Sequence, residues 1–183
     1  MKILLIILIS SLQMLLIGND TTIAVNELTK EEAVRLTIEG ENQLSSIIVF
    51  SQLDPAKAIH TRCGGIESND HYYSYICGAK TLTDITNKLI PYFTQNYIDE
   101  IIQQFNIHNY KEGVVIELFD GGYTTKSTDS IQEVTIQQSG NKAKVKLHYH
   151  IDLEAAIKDG FSILDFELTS QGWRVASNGL LFW

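Results

Sequence analysis

Apolar positions recur at helical spacing in the first half of the chain and at strand spacing in the second. Val34, Thr37, Leu44, Ile47 and Ile48 predict a core-packing helix over about 30–50. Thr29 is its expected N-cap, Glu32 completes a capping box, and Leu28 can staple onto Ala33. Gly40 weakens the middle of this helix. A second helix is expected over 82–93, with Thr83 as cap, Asp84 at the positive end, and Ile85, Leu89 and Ile90 inward. Pro91 ends or kinks it. A third follows from Thr94 to about Phe105, carried by Ile98, Ile101, Ile102 and Phe105.

From Ile107 the period becomes two. Residues 107–110 and 114–118 flank Lys111-Glu112-Gly113 as a hairpin, and 131–138 form the next strand. Ala143, Val145, Leu147, Tyr149 and Ile151 then alternate with Lys144, Lys146, His148 and His150, which predicts a strand with one buried and one wet face. Residues 152–160 read as a longer connection with a helical turn at 153–157. Strands are expected again at 162–168 and 173–177, and the apolar tail 180–183 should dock onto the body. The fold class is α+β: N-terminal helices followed by a mostly antiparallel sheet, two-lobed, with a protruding loop between the halves.

Composition narrows the function. The net charge of −8 argues against nucleic acid and against an anionic membrane or wall surface, and points to a cationic protein or a basic groove. Residues 1–24 read as a signal peptide, with Lys2 ahead of an apolar run short for a membrane span and Thr22-Ile23-Ala24 as the cleavage site; the rival readings are cleavage after Gly18 or retention as an N-terminal anchor. The mature domain is then 25–183, secreted and free of the membrane. Cys63 and Cys77 flank a hairpin that turns about Asp70, which sets them opposite each other at disulfide separation in an oxidising compartment. The alternatives are two buried thiols, or a nucleophilic Cys63 with a histidine partner.

Other candidate chemistry is sparse. His148 and His150 point to one wet face, but no third ligand has a fixed spacing to them, so no metal site is expected. His60, His71 and His108 read as isolated residues in loops and turns. Asp120 with Asp129 or Glu117 is a candidate carboxylate pair. Tyr72, Tyr73 and Tyr75 put rings on both hairpin faces, one for packing and one available to a partner. Between the two halves stands Asp120-Gly121-Gly122-Tyr123, an acid and a tyrosine flanking a slim glycine turn, followed by a polar run.

The order of these features resembles one family. Cys63, Tyr73-x-Tyr75-x-Cys77, two threonine-led helices, a hairpin, Asp120-Gly121-Gly122 and a late Gly172-Trp173-Arg174-Val175 look like the IseA-type DL-endopeptidase inhibitors. The resemblance implies a secreted, two-lobed α+β protein without cofactor or catalytic residues. It implies partners among the NlpC-type cysteine peptidases that cut peptidoglycan stem peptides at the cell wall, and hence a part in regulating autolysins. It also implies an inhibitory loop at Asp120, Gly121, Gly122 and Tyr123, where Tyr123 stands in place of an expected serine. The middle helices carry fewer lysines than the family pattern leads one to expect. The chain is expected to act as a monomer. A different class remains open from the residues alone: a cystatin-like or NTF2-like module holding a small molecule or glycan between helix and curved sheet.

Overall fold

The computed structural model describes residues 26–57, 63–68, 71–118, 130–153 and 156–177. In these, three α-helices combine with two four-stranded antiparallel sheets in an α+β arrangement. Helix α1 is Lys30–Ile48, followed by a short 3-10 turn at Pro55–Lys57. Strands β1 (Gly65–Ser68) and β2 (His71–Tyr75) precede helices α2 (Leu82–Leu89) and α3 (Gln95–Gln104). Strands β3 (His108–Tyr110) and β4 (Gly113–Glu117) close the first sheet in the order β1-β2-β4-β3. The second sheet is a meander of β5 (Ile131–Ser139), β6 (Lys142–Leu153), β7 (Ala156–Thr169) and β8 (Gly172–Val175).

Helix α1 is a beam between the sheets. Its entry is fixed by Thr29, whose hydroxyl accepts from the Glu32 amide at 3.1 Å, and by the Leu28 amide, which donates to Gln138 of β5 at 3.0 Å. At its far end the Cys77 amide donates to the Ser51 carbonyl at 2.8 Å, and the Leu53 amide to the Cys77 carbonyl at 2.9 Å, so the chain leaving α1 joins the end of β2. At about 1.5 Å per residue α1 is roughly 28 Å long. Leu36, Leu44, Ile47 and Ile48 are buried in the same apolar cluster as Val145, Leu147, Leu164, Phe166, Trp173 and Val175 of the second sheet. Ile85, Leu89, Phe93, Ile98, Ile101, Val114 and Ile116 extend that cluster to the other helices and the first sheet.

Gly40, a weak point by helix propensity, has a packing reason. A Cβ there would lie 2.8 Å from the Phe93 ring, which is itself boxed in edge-on by Tyr97. The link between α2 and α3 is sewn to β8: the Thr94 amide donates to the Val175 carbonyl, the Val175 amide to the Tyr92 carbonyl, and Arg174 Nε to the Ile90 carbonyl.

Two expectations need correction. The cap of α2 is Thr81, not Thr83: Thr81 and Asp84 form a reciprocal capping box that satisfies two amides no helical carbonyl can reach. The span 152–160 is not a loop with a helical turn. Strand β6 runs on to Leu153 and β7 begins at Ala156, paired from Lys142↔Glu167 through Leu153↔Ala156. Strand β5 reaches only to the Tyr149 level and β8 only to the Phe166 level, so the far end of the β6–β7 hairpin extends beyond both neighbours.

Candidate functional site

Asp120, Gly121, Gly122 and Tyr123, with Asp129, lie outside the described residues, but both anchor points of this segment are fixed. On the leading side β4 ends at Glu117, and the Leu118 amide donates to the Tyr72 carbonyl at 2.7 Å. On the trailing side the chain enters β5 at Ile131, opposite Tyr149. Residues 119–129 therefore connect a central strand of the first sheet to an edge strand of the second.

Around the leading anchor the fold gathers residues that are scattered in sequence. The register sets Tyr73 opposite Glu117 and His108 opposite Val115, so His71, Tyr73, His108 and Glu117 share the outer face of the first sheet. Asn106 joins them from the turn after α3, in the left-handed conformation (φ 47°) that asparagine tolerates. Glu117 Oε1 pairs with His71 Nδ1 at 2.5 Å. Its other oxygen accepts from Asn106 Nδ2 at 2.9 Å, and the same amide reaches the Tyr73 hydroxyl at 3.3 Å. His108 Nδ1 lies 2.9 Å from the Asn106 carbonyl, and its ring meets Tyr73 edge-on. Asn106 first, then His71, hold the Glu117 carboxyl below its usual range, because both favour the charged form. His71 and His108 are therefore not isolated loop residues. They sit on strands, and one carboxylate and one amide link them.

The remaining candidates separate cleanly. Cys63 and Cys77 are joined in a disulfide with a Cα–Cα distance of 5.3 Å, at the opposite end of β2 from the Glu117 cluster, and this closes off a nucleophilic Cys63. His148 stacks on Phe161 at 4.6 Å between centroids, and among the described residues no His, Cys, Asp and Glu group has a metal-holding arrangement. His60 lies outside the described residues. Glu117 is engaged by His71 and Asn106 rather than by a second carboxylate among the described residues. Tyr73 and Tyr75 pack on the outer face with His108 and Tyr110, while Tyr72, on the other face, is 58% exposed. Leu36 and Leu44 of α1 share one buried apolar cluster with Val145, Leu147, Leu164 and Phe166 of the second sheet. No helix among the described residues is long and apolar enough to cross a membrane.

The α+β body, with Cys63 and Cys77 closed in a disulfide, has a counterpart among known families. Residues 24–178 match the IseA DL-endopeptidase inhibitor family, and the chain belongs to it. A search of curated proteins found no match for the chain.

Proposed function

We propose that this chain is a secreted inhibitor that blocks the active-site cleft of NlpC-type peptidoglycan DL-endopeptidases by inserting the segment around Asp120-Gly121-Gly122-Tyr123. The carrying observation is the family match over residues 24–178. It begins at Ala24, the residue that closes the expected leader, and a disulfide accords with an exported protein. The mature unit is 25–183, acting as a two-lobed monomer without cofactor or catalytic residues.

The chemistry of the segment supports the reading. A peptidase that cleaves beside an acidic residue needs a cleft receptive to carboxylate, and Asp120 would occupy that place. Gly121 and Gly122 keep the inserted chain narrow and offer no side chain for productive register. Anchors on two different sheets limit the entropy lost on docking. The test is to capture wall hydrolases with the mature chain and follow residual cleavage of a stem peptide. Asp120→Ala and Gly121→Leu should each raise the inhibition constant at least about thirtyfold, with circular dichroism unchanged. Unaltered inhibition by both variants would remove the segment from the mechanism.

A further inference from the structure

Val115 is 1% exposed, yet it stands on the outer face of β4 and lies outside the apolar cluster that joins the helices to the two sheets. Its cover is aromatic. The register sets Tyr75 of β2 on one side of it and His108 of β3 on the other. The Tyr75 ring leans diagonally to Gly113, where a Cβ would lie 3.1 and 3.3 Å from two of its atoms, and its centroid is 6.3 Å from that of Tyr110. A ring that crosses β4 in this way lies along the sheet and turns its other face outward. Beside it is a groove of about 620 Å³, bordered by Lys111, Glu112 and the Cys63–Cys77 disulfide. Small-molecule sites commonly measure about 300–1,000 Å³.

The polar atoms next to this aromatic floor are held in place but not used up. His71 Nδ1 donates to Glu117 and His108 Nδ1 to the Asn106 carbonyl, so in the neutral rings Nε2 is an acceptor. Asn106 Nδ2 donates to Glu117 and to the Tyr73 hydroxyl. That leaves the Asn106 side-chain oxygen to accept and the Tyr73 O–H to donate. The charges bordering the face, Lys111, Glu112 and Glu117, have both signs, so it selects neither a polyanion nor a polycation. An apolar protein surface laid here would leave the acceptors unpaired, at a cost in affinity. A ring with C–H groups on its face and hydroxyls at its edge meets both requirements.

We propose that the outer face of the first sheet is a saccharide-binding site. Sugar rings lie on Tyr75 and its aromatic neighbours, and their hydroxyls donate to His71, His108 and Asn106. A flat, β-1,4-linked chain fits, because its rings present their faces along one ribbon. The site is separate from Asp120-Gly121-Gly122-Tyr123 and does not depend on the role given to that segment.

The test titrates the isotope-labelled mature chain with cellohexaose, chitohexaose and, as a coiled control, maltohexaose, by calorimetry and by amide chemical shifts. A flat chain should bind, with shift changes gathered on residues 71–75 and 106–117, and maltohexaose should bind more weakly. Preference between the two flat chains identifies the substituent recognised at carbon 2. Tyr75→Ala should weaken binding at least about tenfold, while Tyr75→Phe, which keeps the ring over Val115, should stay within about threefold of the parent. His71→Ala, at an exposed position, should weaken binding about threefold with the melting temperature unchanged. The proposal is overturned if neither flat chain gives heat or shift changes at about 10 mM. It is equally overturned if the shifts fall on the second sheet, if maltohexaose binds as well as the flat chains, or if Tyr75→Ala and His71→Ala both bind like the parent.

Discussion

At Gly160 two rules of residue preference pull in opposite directions, and the structure shows which wins. Gly160 faces Tyr149 across the β6–β7 ladder, and a Cβ there would lie 2.6 Å from the phenol ring. Tyr149 is buried, so its ring has little room to retreat. Gly160→Val, favourable by strand propensity, should therefore destabilise the protein by about 1–3 kcal/mol, read as a lower midpoint in urea. At Glu117 the prediction concerns pH. Its folded carboxyl titrates below its unfolded value, so its contribution is present above about pH 4.3 and is lost as pH falls through the lower folded value. The acid limb of stability should be shallower in Glu117→Gln than in the parent. Sequence missed this cluster for a geometric reason. His71 and Glu117 are 46 positions apart, and only the β2–β4 register brings them together.

Elements were legible where their signal is local and hidden where it depends on neighbours. The apolar stripes of Ile98 and Ile101, the alternation from Ala143 to Tyr149, and the pairing of Cys63 with Cys77 in a disulfide all follow from spacing within one or two elements, and the structure bears them out, although the strand register sets Cys63 level with Ile76 rather than directly opposite Cys77. The far end of the β6–β7 hairpin was misread because Asp152, Lys158, Asp159 and Gly160 break the apolar pattern. Ladder pairing between the two strands defines them. The capping box of α2 carries its own test. Asp84 accepts from the Lys80 and Thr81 amides, which lower its carboxyl pKa, so the cap stabilises above about pH 4 and fails as pH falls through the folded value. Thr81→Ala should cost about 1 kcal/mol at neutral pH by thermal unfolding. Replacing Cys63 and Cys77 together by alanine should cost about 3 kcal/mol, since the closed loop spans 14 positions.

For the whole molecule, the key feature is the division of labour between α1 and residues 119–129. Helix α1 ties the Gln138 end of the second sheet to the Cys77 end of the first. Residues 119–129 join the same two sheets by a separate route, from Glu117 to Ile131. A rigid link beside a peptide link is the arrangement in which a short segment can be presented without the sheets drifting apart. A loop between the two halves was legible in the sequence; which strands border it, and the course of α1 from one sheet to the other, were not, because both depend on pairing between distant segments. The net charge of −8 adds an expectation for kinetics: association with a basic peptidase should slow as salt rises, with dissociation far less affected. The central claim, that the segment at Asp120 fills the catalytic cleft, is tested most directly by alkylation of the peptidase's catalytic cysteine in the complex. The account predicts that the parent chain shields that thiol and that Asp120→Ala, at equal concentration, leaves it open. A thiol alkylated at the free rate while the parent chain still inhibits would contradict it.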